Sequence, residues 1–344
     1  MWAPNNYYPL HISFNDSLSD EYRLRWFREG DLPSFIEGLN VDLWDEYSEE
    51  VFRWKFREGP FDLGFTPIAV VEHVPSGRPV AFNSFLPLEV RAGGEVFLAV
   101  QGCDGFVDRG HRRRGLFQRT LRFLSEEMPG KGPEALIGFN LVEAAGAARK
   151  AGSELAFDLD KCLLERDALG GFDSRAMDLE LISLKELHGL YEDWALERGL
   201  LHFHRTPGYL AWRMEGHPVR RGLSYRVLRG GTVEGYVVID LVEEGGGLTM
   251  TLNDYNPGLL EGALFGVVSA LLEEHRGVTA VELNARRGSR LESVAEGCGF
   301  EVLPWYKVIM MALENTRQEG GAVYRGGLEI SDMGLWHLTN SDIY

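Results

Sequence analysis

The feature that most restricts how this 344-residue chain can fold is that it resembles itself. The segment "VFRWKFREGP" at 51 to 60 returns as "YLAWRMEGHP" at 209 to 218, so Trp54, Lys55 and Pro60 recur as Trp212, Arg213 and Pro218. One such match could be chance, but the text after each copy follows a single plan. In the first half it reads "PIAVVEHVPSGRPVAFNSFLPLEV", "GLFQRTLRFLSEEM", "EALIGFN" and "VEAAGAARKAG". In the second it reads "LSYRVLRGGTVEGYVVIDLV", "LLEGALFGVVSALLEEH", "VTAVELN" and "RLESVAEGCGF". Repetition of a whole order of elements implies a duplicated structural unit.

Each copy predicts strand, turn, strand, long helix, strand and short helix. The strands are β-branched runs bounded by turn residues such as "PSG" and "RGG". The first long helix follows from spacing, with Leu116, Phe117, Thr120, Leu121, Leu124 and Met128 on one side at helical period. Alternating strands and helices indicate an α/β unit. A chain of this length exceeds one ordinary core, and the Gly-Gly pair in "DALGGFDSR" sets the expected division at residues 1–170 and 171–344. The final stretch from "ENTRQEGG" to "WHLTNSDIY" has no counterpart in the first half.

A formal charge of -17 argues against a general polyanion-binding surface, so any anion site must be local. One such place stands out. "FVDRGHRRRGLFQRTLRFL", 106 to 124, concentrates Arg109, Arg112, Arg113, Arg114, Arg119 and Arg122. It follows the strand "VFLAVQGCDGFV" and leads into the helix that starts near Gly115. Free N–H groups and the helix dipole favour an anion there, Gly115 permits close approach, and arginines add charge-assisted hydrogen bonds. The arrangement suits a diphosphate, with Arg119 and Arg122 on the solvated side of the helix. In isolation an arginine run is more often a solvated face; its position between strand and helix favours the loop reading. The second half has "LNDYNPGLLEGALF" in the same place, with no arginine and with acidic Asp254 and Glu261.

The run "VDRGHRRRGLF" resembles the acyl-CoA loop of the GCN5-related N-acetyltransferases, where a Q/R-x-x-G-x-G/A segment cradles the pyrophosphate. Here it reads Arg112, Arg113, Arg114, Gly115, Leu116, Phe117, with Phe117 replacing the last glycine. "LIGFN" followed by "AARKAG" resembles that family's next strand and helix. The resemblance implies two tandem units of this α/β fold, each a mixed central sheet flanked by helices, the second without a cofactor loop. It implies acetyl-CoA as cofactor, held by Phe106, Val107, Arg112 to Phe117 and Asn140. The activity implied is acetyl transfer to a primary amine of a small molecule or peptide by direct attack. A catalytically silent acyl-CoA-binding protein and a Fem-like aminoacyl transferase are the alternatives.

Amine acylation needs a base for the ammonium proton and an acid for the departing thiolate. The family's tyrosine acid falls at Ala148, and at Ala295 in the second copy, so neither copy has it. Asp104 is the best-placed carboxylate; it is either the base or the cap of a strand bulge beside Gly102 and Gly105. The aromatic, polar tail offers a second candidate and is expected to bring the Tyr344 carboxylate, or Asp342, towards the first unit. Cys103 has no base nearby in sequence and reads as a small hydrophobe. Asn140 either bonds the cofactor arm or closes a turn, and the recurring Trp54 and Trp212 favour packing over substrate contact.

The remaining expectations are exclusions. Cys103, Cys162 and Cys298 form no C-x-x-C pair, which fits a reduced, cytoplasmic setting. His202 and His204 make an H-x-H pair with no third ligand indicated, so no metal is expected. The N-terminal "MWAPNNYYPLHISFND" has no basic segment before an apolar run, and no stretch of about 18 apolar residues occurs; neither membrane nor nucleic acid is an expected partner. Oligomeric state is not legible.

Overall fold

The computed structural model describes residues 20–42, 47–128, 130–169, 177–195, 199–220, 222–244, 246–313, 324–330 and 332–343. The expected division at 170 and 171 lies outside the described residues, as does Tyr344.

The first half runs β1 (Tyr22–Trp26), α1 (Leu32–Asp42), α2 (Glu49–Phe56), β2 (Ile68–His73), β3 (Arg78–Ala92) and β4 (Glu95–Val107). It continues through α3 (Leu116–Glu127), β5 (Ala135–Asn140), α4 (Val142–Lys150) and β6 (Glu154–Glu165). The second begins with β7 (Asp178–Leu181), α5 (Leu184–Ala195), β8 (Leu201–Phe203) and α6 (Pro207–Leu210), which runs on as a π-helical turn at Ala211–Glu215. Then come β9 (Leu223–Arg229), β10 (Thr232–Glu244), β11 (Gly247–Tyr255), α7 (Leu259–Glu274), β12 (Val278–Arg286), α8 (Arg290–Gly297) and β13 (Glu301–Ala312). The series β2 to β6 and the series β9 to β13 repeat one order; it contains the predicted elements and adds strands that were not predicted, β6 in the first copy and β11 and β13 in the second.

The two halves share one sheet, ordered β1-β2-β3-β4-β5-β13-β6-β12-β11-β10-β9-β7, with β8 paired to β3. Each half gives its last strand to the other. β13 lies antiparallel beside β5, with Lys307 opposite Asn140, and β6 lies antiparallel beside β12, with Lys161 opposite Asn284. β6 and β13 pair with each other at the midline. Separating the halves would break the ladders on both sides of the exchange.

Packing follows the pattern of apolar residues. α3 buries Leu116, Thr120, Leu121 and Leu124 against one sheet face, each large apolar side chain contributing roughly 1.5–3 kcal/mol. α7 is apolar almost all round and is correspondingly buried on most sides beneath α8. On the opposite face one core spans both halves, from Leu86, Leu88 and Val90 of β3 to Tyr236 and Val238 of β10. At its centre Trp54 and Trp212 stack with ring centroids 4.8 Å apart and planes at 15°. Each indole Nε1 donates to the other residue's backbone carbonyl, at 2.9 and 2.8 Å. The repeated tryptophan is thus a reciprocal clasp between the copies, which matches the packing role expected of it.

Candidate functional site

β4 and β5 run parallel and pair only from Ala99 opposite Ala135 to Gly102 opposite Gly138; beyond that they part as a fork. The cause is local. Where β3 pairs with β4, Phe82 faces Phe106 and Ser84 faces Cys103, so Asn83 alone opposes both Asp104 and Gly105. The extra residue makes a bulge, which bends the strand. Asp104 carries it with a left-handed φ of 40°. A Cβ on Gly105 would stand 3.2 Å from the Phe117 ring, so this glycine lets the start of α3 press onto the bulge.

Asp104 is 7% exposed and both its oxygens are engaged. Lys55 Nζ donates to them at 2.9 and 2.8 Å, and the Tyr47 hydroxyl donates at 3.1 Å. Burial and the neighbouring Asp104 charge raise the Tyr47 phenol above its ordinary range. Burial and Asp104, opposed by Lys55, push the Cys103 thiol up to about 12. A thiol so held is not a nucleophile at neutral pH.

The loop beyond β4 sorts its arginines into different tasks. Arg112 folds back, donating from Nε to the Val107 carbonyl at 2.9 Å. Arg114 turns to the sheet edge, donating to Glu21 at 3.1 Å and to the Tyr22 hydroxyl at 2.8 Å. Arg113 is exposed, adopts a left-handed φ of 64°, and meets no partner among the described residues. Gly115, at φ 73°, caps α3 without a side-chain hydrogen bond, so the first N–H groups of the helix remain available to an anion. Asp104 and Arg113 are the two non-glycine residues with left-handed φ among the described residues. Each costs of order 1–3 kcal/mol, and both flank one fork.

The other predicted positions divide between lining and support. Phe106 packs its ring against Phe82, 5.2 Å between centroids, and Val107 and Leu116 join the small core around Tyr22. These reach the fork by backbone, while their side chains hold it in shape. Asn140 ends β5 with a buried Nδ2 that lacks a hydrogen-bond partner. His202 lies among Tyr191 and Trp194 and donates from Nδ1 to the Phe203 carbonyl at 3.1 Å, whereas His204 bonds Glu89 at 3.0 Å. The two histidines do not converge, and no group of three potential metal ligands occurs among the described residues. No described helix is long and apolar enough to cross a membrane.

Sequence reasoning did not find Lys55 and Tyr47 as partners of Asp104, 49 and 57 positions away. Nor did it find the cavity of about 370 Å³ on the other side of Lys55. Recurrence of Lys55 as Arg213 was the one available signal.

The second half forks in the same way. β11 and β12 pair from Leu248 opposite Val278 to Thr251 opposite Glu282 and then part. Here the chain's own tail bridges the prongs. Asn340, in the turn Asn340–Asp342, accepts from the Asn284 backbone N–H of β12 at 2.9 Å. His337 donates from Nε2 to the Tyr255 carbonyl of β11 at 2.9 Å, and Thr339 donates to Asp254 at 3.3 Å. Arg205, fully buried, bonds Asp254 at 2.6 Å and Asp342 at 3.1 Å. Burial lifts the Asp342 carboxyl above its ordinary value, although Arg205 opposes the shift. Asp342 therefore serves the second fork, and its carboxylate is spoken for by Arg205.

No protein-family model and no curated protein sequence matches the chain. Solved structures do match. A GCN5-related N-acetyltransferase from Anabaena variabilis ATCC 29413 superposes with a TM-score of 0.59 at 14% identity, over 86% of this chain and 74% of that one. The Saccharomyces cerevisiae N-myristoyltransferase with bound myristoyl-CoA and inhibitors gives 0.58 at 11%, over 86% and 81%. The chain has the fold of the GCN5-related N-acetyltransferases. Eis1 from Mycobacterium abscessus matches at 0.51 and 16% identity, over 86% of this chain and 74% of that one. The fold occurs here as two units in one sheet, with the arginine loop in the first unit alone.

Proposed function

We propose that the chain is an acyl-CoA-dependent N-acyltransferase that uses acetyl-CoA as donor and a primary amine of a small molecule or peptide as acceptor. The observation that carries this reading is the contrast between the forks: the second is bridged by the tail, while the first ends at a helix N-terminus with Arg113 beside it. The residues there fit the cofactor. The α3 amides and Arg113 suit a diphosphate, the parted strands offer unpaired backbone to an amide-bearing arm, and the buried Asn140 Nδ2 lacks an acceptor. Acyl-CoA, when bound, supplies a thioester carbonyl carbon as the electrophile.

The remaining work falls to the chain. The bulge at Asp104 holds the prongs apart. Both Asp104 oxygens are engaged by Lys55 and Tyr47, so Asp104 acts as a positioning residue, keeping Gly105 and the start of α3 in register. The acceptor amine then attacks after losing its ammonium proton to water. The C–N bond forms, the C–S bond breaks with its electrons passing to sulfur, and the thiolate takes a proton from the acylated nitrogen. Ala148, buried, offers no acid there, so the rate should rise with pH up to the acceptor's own pKa.

Arg113→Glu combined with Gly115→Glu is expected to abolish thermal stabilisation by acetyl-CoA, and undiminished stabilisation would overturn the reading. Thiol release from acetyl-CoA across a panel of amines separates an enzyme from a silent acyl-CoA-binding protein, because turnover with any amine removes the latter.

A further inference from the structure

Gln101 stands on β4 just before the last paired position of the open fork, opposite Leu86 of β3 and Ile137 of β5. Alternation along the strands fixes where its side chain points. Val100 and Leu136 join the core beneath α3, whereas Ala99, Cys103, Leu86 and Ile137 join the core on the opposite face, so Gln101 points away from α3. It is fully buried, and neither its Nε2 nor its Oε1 has a hydrogen-bond partner. Among the described residues it is the one side chain with two such atoms. An unpaired buried amide is destabilising, and a core of leucine, isoleucine and alanine around it would hold an apolar side chain of the same size without that cost.

Its place in the fork decides what this amide meets. A donor whose diphosphate lies at the α3 amides enters by the open end of the fork, so its acyl end arrives where β4 and β5 close, at Gly102 and Gly138. Asn140, with its own unpartnered Nδ2, flanks that point on the α3 face: a Cβ on Gly138 would stand 3.5 Å from Nδ2 and 2.9 Å from Ile309 of the core beneath α3. Gln101 flanks it on the other face. Phe139, next after Ile137 on that face of β5, is half-buried, which puts the amide one side chain in from solvent. Resting on the acyltransferase reading, we infer that Gln101 is a catalytic residue whose Nε2 donates to the thioester carbonyl oxygen and whose Oε1 accepts an N–H of the attacking amine. One planar amide presents a donor and an acceptor side by side, and acyl transfer to an amine uses both. As the C–N bond forms, charge develops on the carbonyl oxygen and strengthens the Nε2 bond, while Oε1 holds the amine with its lone pair towards the carbonyl carbon. The C=O bond then re-forms as the C–S bond breaks, and the proton passes from the acylated nitrogen to the thiolate. Gln101 keeps its own protons throughout, so it adds no titration to the rate profile.

Gln101→Met on the full chain replaces the amide with an apolar side chain of similar volume. Tm, thermal stabilisation by acetyl-CoA, and thiol release from acetyl-CoA across the amine panel are read together. The variant is expected to keep or raise Tm, because it removes two unpaired polar atoms, and to keep its stabilisation by acetyl-CoA. Its kcat is expected to fall about a hundredfold, the effect of losing one donor to the developing oxyanion. A merely structural role would lower Tm instead. A fall in Tm of more than about 4 °C would show that the amide is bonded in the free protein, and overturns the assignment. An unchanged kcat overturns it as well, and so does a loss of acetyl-CoA stabilisation, which would place Gln101 on the cofactor arm. In these three cases turnover by the natural protein leaves acyl transfer standing. No thiol release from the natural protein with any amine removes acyl transfer itself, and this role of Gln101 with it.

Discussion

Two forks of the same construction sit on either side of the exchanged strands, and they have opposite fates. The β4–β5 fork opens beside a left-handed arginine, a left-handed glycine and a capless helix N-terminus. The β11–β12 fork also precedes a helix capped by a left-handed glycine, Gly258. There, however, no arginine stands in the loop, and the turn Asn340–Asp342 closes the gap through Asn284, Tyr255 and the buried Arg205. Identical backbone plans therefore do not make identical sites. Parting two parallel strands exposes backbone polar groups that must find partners; a ligand can supply them, or a segment of the chain can.

The largest expected effect tests the closed fork. Arg205→Met leaves Asp254 and Asp342 buried together, and loss of about 3–5 kcal/mol of stability is expected in urea unfolding; a variant as stable as the natural protein would mean that the tail does not hold the fork. Acid should act next, where β8 meets the tail. Burial pushes His202 down to about 2 from its ordinary 6.5, so it is neutral in the folded chain and takes up a proton on unfolding. Stability is thus fully present above pH 6.5 and falls as the pH drops towards 2, by about 2 kcal/mol between pH 6.5 and 4.5. His202 packs on Trp194, which meets His337 of the tail at 5.5 Å. Hydrogen exchange at pH 4.5 should therefore open β8, where His202 lies opposite Arg91 of β3, and the tail before β4 and β5, and the reverse order would count against the contrast.

At the open fork, Arg113→Gln is expected to weaken acetyl-CoA about tenfold, the worth of one charge-assisted hydrogen bond. Arg114→Gln should weaken it less, because that side chain already serves Glu21 and Tyr22. Equal losses would erase the distinction between them. The smallest effect concerns the clasp between copies: Trp212→Phe removes one hydrogen bond and should cost about 1 kcal/mol. Trp54→Phe added to it should cost less than the sum, since the two rings share one contact.

Much of the first fork was legible in the residues. The strand, the loop and the helix beginning at Gly115 lie within one short stretch, and each is set by local chemistry: apolar alternation, a glycine free to take positive φ, and helical spacing of Leu116, Leu121 and Leu124. The choice left open for Asp104 is sharpened by its partners. Lys55 and Tyr47 lie in another element and fill its oxygens, and no local pattern announces a pairing at that range.

The sequence by itself determined the duplication, the strand, strand, helix, strand, helix plan common to both copies and the presence of the arginine loop in one of them, because periodicity and turn residues act over a few positions. Tertiary structure alone decided which copy each last strand would complete. β13 pairs with β5 of the other copy and β6 with β12, and these partners lie far away in the chain, so only packing of the whole chain places β13 beside β5. It also decided where the tail would go. Arg205, Asp254 and Asp342 are far apart in the chain, and a buried cation finds its carboxylates only after folding has brought them together.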